Sequence, residues 1–505
     1  MVRRTGPLFK FSSAHCDFGS SAMDRNSMSI DRRAFLAAAT GTAVGLLTPG
    51  TSRAQTDISA LVVVAYENTG QQIASDFIGL SYESAILAAG DYLAPDNKSV
   101  LGLIRSLGQS GVIRIGGNSS ERTIWRAADV KSMASDGFVI TPANIDRLAA
   151  AMRILQWKLI YGLNLARGTP EEAAEEAAYV SRALGANLLA FQIGNEPDGF
   201  ARWTAVRPKT YSATTYLEEW HAFHTAIRKR VPHALFAGPD VAAETDWVAA
   251  LAEGHPDGLV LLTRHYYADG PAGAAHVTLD NLLRSSGRIV PVLEELTRYS
   301  RAYGLPYRIT EANSVYNEGQ PGVSDTLGAA LWGLELMFEA AAAGAAGVNL
   351  HGGVHNARPH EDKAYTPIAR STNGHSRAAP LYYAMLMFAQ AARGVIVPAR
   401  LVSSTSQLNA FAVRAPEGTL RVCLINKDFR HAERVRIDPG RSFVAASIMR
   451  LTGPAPNATA GITLGGSSVD ELGAWTSTSE LAHLVDRGIT IDLPAASAAL
   501  VSMHA

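Results

Sequence analysis

Eight short apolar runs, each ending in a polar or glycine-rich tip, constrain this chain more than any other feature. They are FIGLSY (77–82), VIRIG (112–116), KLIYGLN (158–164), LLAFQIG (188–194), ALFAG (234–238), LVLLTRHYY (259–267), YRIT (307–310) and GVNLHG (347–352). They lack the apolar–polar alternation of half-exposed strands, so both faces are expected to be buried, as in a parallel sheet covered by helices. Helix signals fill the gaps. In TPEEAAEEAAYVSRALG (169–185) Thr169 suits an N-cap, Pro170 the first turn and Gly185 the stop. NIDRLAAAMRILQ (144–156) and TYLEEWHAFHTAIRKR (215–230) also read as helices, the second with acids early and bases late, matching the helix dipole. The alternation predicts an α/β fold, a (β/α)8 TIM barrel over residues 76–383. No G-x-G-x-x-G follows a strand, which removes a dinucleotide-binding open sheet.

From 384 to 505 the pattern changes to β-like runs broken by Gly, Pro, Asn and Ser, among them QLNAFAVRA, TLRVCLIN and GITIDLPAASAALVSMH. These predict an appended antiparallel β-sandwich. LVVVAY (61–66), within residues 57–75, has no barrel partner and is expected to join that sandwich. Residues 1–56 read as an N-terminal extension and a twin-arginine export signal. Arg32 and Arg33 precede an apolar stretch, Ala34–Leu47, and Ser52-Arg53-Ala54 offers a small-x-small cleavage site. The stretch is short and rich in Gly, Ala and Thr, which argues against a membrane span. Met28 is an alternative start to Met1. These features imply a bacterial protein exported to the periplasm or beyond.

The 505 residues are 47% hydrophobic with a formal net charge of -1. That balance gives no electrostatic basis for a nucleic-acid or anionic-membrane partner. Of two cysteines, Cys16 lies in the leader, and Cys423, in RVCLIN, reads as a small buried hydrophobe. Neither a disulfide framework nor a cysteine zinc site follows.

In barrels of this kind functional side chains gather at the C-terminal strand ends. Those positions hold Tyr82-Glu83, Gly117-Asn118, Asn195-Glu196, His265-Tyr266-Tyr267, Glu311 and His351. Two carboxylates facing each other across such a mouth are what glycoside hydrolysis requires, one protonated to assist the leaving oxygen and one ionised. The fourth and seventh strands supply Glu196 and Glu311. The bland alternatives are a solvated loop acid at Glu196, a helix cap at Glu83, service to the Gly-Gly turn at Asn118 and a scaffold role for His265. His351 is a candidate sugar contact. His351, His355 and His360 lack a carboxylate at metal-ligand spacing and form no helical H-E-x-x-H, so no metal or other cofactor is implied. Pro197 is expected to hold Glu196 at extended backbone angles.

The motifs FIGLSYES (77–84), IRIGGNSS (113–120), FQIGNEPD (191–198), RHYYADG (264–270) and ITEANSVYNEGQPGVSDT (309–326) together resemble glycoside hydrolase family 79, the β-glucuronidase and heparanase group of retaining glycosidases. That resemblance implies Glu196 as acid/base, Glu311 as nucleophile, Asn195 as donor to the sugar 2-hydroxyl, and Glu83 and Asn118 as innermost sugar contacts. Tyr266 is the expected donor that keeps Glu311 ionised. The resemblance also implies a loop that binds the uronic carboxylate through Tyr316 and glycine amides. Here Glu318 stands where a glycine is usual. Either its side chain turns to solvent, or Arg358 supplies a carboxylate contact, or the substrate is a neutral β-glucoside or β-xyloside. The leading expectation is β-glucuronide hydrolysis, with a carbohydrate or glycoside substrate as partner and the oligomeric state left open. A carbohydrate-binding protein on an inactive barrel is disfavoured because both carboxylates are present.

Overall fold

The computed structural model describes residues 58–127, 137–285, 287–354, 361–371, 374–403 and 407–505. The eight apolar runs form β1 (Ile78–Glu83), β2 (Val112–Gly116), β3 (Lys158–Leu163), β4 (Leu188–Ile193), β5 (Phe236–Val241), β6 (Leu259–Asp269), β7 (Tyr307–Val315) and β8 (Gly347–Gly352). All eight run parallel and close into a barrel, with Val348 opposite Ile78 and Gly352 opposite Tyr82 where β8 meets β1. The expected (β/α)8 architecture is what the chain adopts. Burial on both faces explains the non-alternating sequence of the strands: every residue of β1, β2, β5, β7 and β8 is buried.

The helices follow from their local chemistry. In α1 (Pro142–Leu155) and α2 (Pro170–Leu184) proline opens the first turn. Thr169 caps α2 reciprocally: its Oγ1 accepts from Glu172 N at 3.2 Å while Glu172 Oε2 accepts from Thr169 N at 3.1 Å. α3 (Ala213–Arg230) ends in Arg228, Lys229 and Arg230, placed against the negative end of its dipole.

Two features depart from expectation. β7 runs on to Val315, so Glu311 lies within the strand rather than at its end. The extension is paired: Asn313 stands opposite Tyr267 and Val315 opposite Asp269. The change of pattern expected at residue 384 falls inside a helix. α4 (Leu327–Ala342) and α5 (Pro380–Ala391) are apolar almost all round because they are covered on both sides, and the sheet strands that follow them begin only at Val395. Phe338 of α4 stacks on Phe411 of the sheets at 4.9 Å and packs edge-on against Phe388 of α5, also at 4.9 Å. Lys427 and Glu335 form a buried ion pair across the same junction.

Beyond α5 lie two sheets. One has the order Ala399–Ser403, Ala60–Val64, Glu433–Asp438, Ile489–Leu493. The other contains Val395–Val397, Leu408–Arg414, Leu420–Asn426, Ser497–His504, Ala445–Thr452 and Thr463–Leu464 in that order. The pairing is antiparallel except between Ala60–Val64 and Glu433–Asp438, which run parallel. Val62, Val422, Leu424, Ile437, Ile491 and Val501 fill the core between the sheets, and Cys423 is a buried free thiol.

Val62 is central in its sheet and has no exposed surface. Val62→Ala should therefore lower the unfolding free energy by about 2 kcal/mol in urea titrations. Ala substitution of the exposed Ile58 should change it by less than about 0.5 kcal/mol.

Candidate active site

β4 is a buried strand that breaks at Gly194, where φ is 90°. Glu196 then takes φ 47° and ψ 51°, a left-handed conformation, although a proline follows. The extended backbone expected from Pro197 is overridden by its neighbours. Glu196 N donates to Asp240 O at 2.9 Å, and Glu196 O accepts from Gly199 N at 2.8 Å to start the turn Pro197–Gly199. The Asp198 carboxylate pins that turn by accepting from the backbone N–H of Ala242, Ala243 and Glu244 at 3.0, 2.8 and 3.1 Å. A non-glycine residue held this way costs on the order of 1–3 kcal/mol, which the surrounding bonds must offset.

Glu311 comes from the opposite side of the barrel mouth. Strand alternation would send Thr310 and Glu311 to opposite faces, yet both reach inward. Thr310 Oγ1 donates to Asp240 Oδ1, while Glu311 accepts from Tyr267 Oη at 2.8 Å and from Arg114 Nη1 at 2.8 Å. A register shift between Ile309 and Glu311 makes this geometry available, as a β-bulge does when it re-aims a side chain. Arg114, 1% exposed, binds the rest of the floor. Its Nη2 donates to Asn195 Oδ1 at 2.6 Å and also meets Asp240 Oδ2, and its Nε donates to Gln192 Oε1 at 3.0 Å.

Two histidines divide the charge. His265 Nδ1 donates to Glu196 Oε1 at 2.9 Å, and its Nε2 lies 3.0 Å from Asp240 Oδ2. Burial disfavours its charge, but Asp240 and Glu311 outweigh burial and push its pKa up to about 10. His351 is the contrasting case: burial lowers its pKa, and Lys363 adds to the effect against the pull of Glu311 and Glu83. Lys363 Nζ, only a donor, lies 2.8 Å from His351 Nε2, so that nitrogen accepts and Nδ1 carries the hydrogen, 2.9 Å from Ser81 Oγ. Lys363 also pairs with Glu83 at 3.0 Å. Glu83 further accepts from Ser119 N at 2.9 Å and Ser119 Oγ at 2.7 Å.

The two acids are pushed apart. Burial raises Glu196, the charge of Glu311 adds to this, and His265 opposes it. Burial would raise Glu311 as well, but the Nδ1–H of His351, 3.6 Å from its Oε2, and the charges of His265 and Arg114 hold it down to about 2. Among the described residues, with Glu196 protonated, Arg114, His265 and Lys363 balance Asp240, Glu311 and Glu83. The surroundings thus favour the protonated form of Glu196 and the ionised form of Glu311.

Glu83, Asn118, Asn195, Glu196, Glu311 and His351 are thus linked in one network, in which Asn195 Nδ2 donates to Asn118 Oδ1 at 3.3 Å. Tyr266 is not part of it. Alternation along β6 turns His265 and Tyr267 inward, so Tyr267 is the donor to Glu311, while Tyr266 packs in the hydrophobic core. Tyr316 lies at the rim, 41% exposed, its ring 6.5 Å from that of Tyr267. Asn317, Glu318 and Gly319 have φ of 62°, 70° and 85°, and Glu318 O accepts from Ala364 N at 2.8 Å. Arg358, His355 and His360 lie outside the described residues. Sequence reasoning missed Arg114, Asp240 and Lys363, chose Tyr266 over the neighbouring Tyr267, and undervalued His265. An arginine and an aspartate inside apolar strands were the available signal, since unpaired charges are not buried.

One ligand atom each from Glu196, His265 and Glu311 lie within 4.8 Å of one another, a spacing a metal ion could span. Both ring nitrogens of His265 already face carboxylates, however, and the imidazolium they favour has no lone pair for a metal.

No protein-family model matches the chain. A β-glucuronidase of Aspergillus niger is 26% identical over 499 residues, covering 85% of this chain and 90% of its own length. A β-glucuronidase of Neurospora crassa is 25% identical over 373 residues, 63% of this chain and 65% of its own. Among solved structures, a 4-O-α-L-rhamnosyl-β-D-glucuronidase of Fusarium oxysporum superposes with a TM-score of 0.75 at 21% identity, covering 88% of this chain and all of that one. A family 51 arabinofuranosidase of Xanthomonas axonopodis shares the fold with a TM-score of 0.65 at 16% identity, covering 89% of this chain and 100% of its own.

Glu196 and His265 both hold protons more tightly in the folded protein. Their stabilising contribution is complete below the unfolded pKa and is lost as pH rises, for His265 between 6.5 and about 10. Glu311 has the opposite sign, its contribution being lost as pH falls from 4.5 towards about 2. Urea titrations should show stability declining across the alkaline interval, and His265→Gln should flatten that decline. Arg114→Leu, which takes the guanidinium from the buried carboxylates of Asp240 and Glu311, should cost about 3–5 kcal/mol in the same measurement.

Proposed function

We propose that this protein is a retaining glycoside hydrolase of family 79 that cleaves β-glucuronides through a covalent glycosyl-enzyme intermediate. The observation that carries the reading is the closeness of the two acids: one oxygen of Glu196 and one of Glu311 lie within 4.8 Å of each other, which favours the shorter of two known carboxyl spacings. Retaining enzymes hold the pair about 5–5.5 Å apart, whereas inverting ones leave about 6.5–9.5 Å for a water molecule. In the first step Glu311 attacks the anomeric carbon and Glu196 gives its proton to the departing oxygen. Glu311 thereby loses its charge, so ionised Glu196 becomes easier to form and can take a proton from water. That water then attacks the anomeric carbon and releases Glu311. Asn195 meets the sugar 2-hydroxyl with the amide hydrogen left after its bond to Asn118. Tyr267 steadies the nucleophile.

The glucuronide preference rests on the names of the Aspergillus, Neurospora and Fusarium proteins together with Tyr316 at the rim. A neutral β-glucoside or β-xyloside is the second reading, because Glu318 occupies a loop position that glycine would fill. We further propose export through the Arg32-Arg33 signal, which lies outside the described residues.

Glu311→Ala should abolish turnover, and azide should restore product of inverted anomeric configuration; wild-type-like activity in the variant rejects the nucleophile role. Glu196→Gln should spare aryl glycosides with activated leaving groups far more than alkyl ones. Rates on the 4-nitrophenyl β-glucuronide, β-glucoside and β-xyloside decide the sugar, and a clear neutral preference rejects the glucuronide while leaving the mechanism standing.

A further inference from the structure

A buried carboxylate outside the catalytic pair remains to be explained. Glu121 follows β2 in the turn Ser120–Arg122 and is 8% exposed. Its Oε1 accepts from the backbone N–H of Asn195 at 2.5 Å, and its Oε2 from that of Ala166, just beyond β3, at 2.7 Å. Among the described residues it makes no ion pair. The nearby Arg207 spends its guanidinium on Glu219 and on the carbonyls of Ala166, Val206 and Leu165. A burial cost borne for two backbone N–H groups implies that those groups must be held in place.

What they hold is the start of the catalytic dipeptide. Gly194 precedes it with φ 90°, and a Cβ there would come within 2.9 Å of Leu165. That residue supplies close approach and freedom, but no rigidity of its own. The Asn195 side chain is oriented by Arg114 and Asn118, but neither fixes its backbone. We infer that Glu121 is a positioning residue for the sugar 2-hydroxyl contact, acting through the backbone of Asn195. The inference rests on the glycosidase reading. Glutamine at this position keeps the shape but can accept from only one of the two N–H groups with its oxygen, and it turns an NH2 towards the other. The strand tip would then shift, and misplacement by a fraction of an ångström to an ångström is felt in the transition state.

The test compares wild type, Glu121→Gln, Asn195→Ala and the double variant on an aryl β-glycoside of the sugar the wild type cleaves best and on its 2-deoxy analogue. Glu121→Gln should lose on the order of 10²-fold in kcat on the 2-hydroxy sugar and only a few-fold on the 2-deoxy one. The double variant should be no slower than Asn195→Ala, since both changes remove one interaction. Equal losses on both sugars, additive losses, or a penalty that grows as the leaving group becomes poorer overturn the inference, the last by assigning the effect to Glu196. If Glu121→Gln does not fold, Glu121→Asp is read by the same comparison. A wild type that cleaves no β-glycoside overturns the glycosidase reading and this inference with it, whereas an active wild type without the coupling overturns this inference alone.

Discussion

The guanidinium of Arg114 is the contact on which the mouth of the barrel depends. It stands on β2 and reaches Gln192 on β4, Asn195 just past β4, Asp240 on β5 and Glu311 on β7. With Ser81 Oγ of β1 at 3.3 Å, its planar fork of donors meets acceptors on or just past four other strands at once, which a point charge on a flexible stem would not do. Removing such a charge from water is costly, and only close partners on several sides offset that. The same partners then fix Glu311 as an anion. Neutralisation passes outward from there: Asp240 holds His265 charged, and His265 in turn faces Glu196.

This arrangement explains why two glutamates of like chemistry behave differently. Glu311 is surrounded by donors and cations, whereas Glu196 has one charged donor and sits beside another anion. The bulge in β7 and the left-handed turn at Glu196 are the two local distortions of regular strand geometry that bring the acids within reach of each other. Both depend on bonds supplied by neighbouring elements rather than by the residues' own preferences.

How much of this was legible in the sequence follows from what each feature depends on. The barrel strands were readable because burial on both faces leaves a continuous apolar run, and α2 because its caps are written into Thr169 and Gly185. The Asn195-Glu196 pair stood out because a buried strand has no packing reason to end in an amide and an acid. Tyr266 was the wrong tyrosine because the inward face of β6 depends on register, which a short run without alternation does not reveal. The extent of β7 depended on pairing with the longer β6, and the αL turn at Glu196 on the Asp240 carbonyl and the Asp198 carboxylate. α5 escaped notice because a helix covered on every side loses its amphipathic stripe and reads like strand sequence.

The strand Ala60–Val64 lies in the interior of a sheet whose other members come from residues 399–403, 433–438 and 489–493. It emerges before any part of the barrel but cannot pair until the last quarter of the chain has been made. During synthesis its five residues, with Val62 and Val64 awaiting burial, must wait beside a growing barrel for partners more than three hundred residues downstream. The sheet is therefore a late closure that joins both ends of the described chain. Loss of either end would leave an unpaired edge open to other chains.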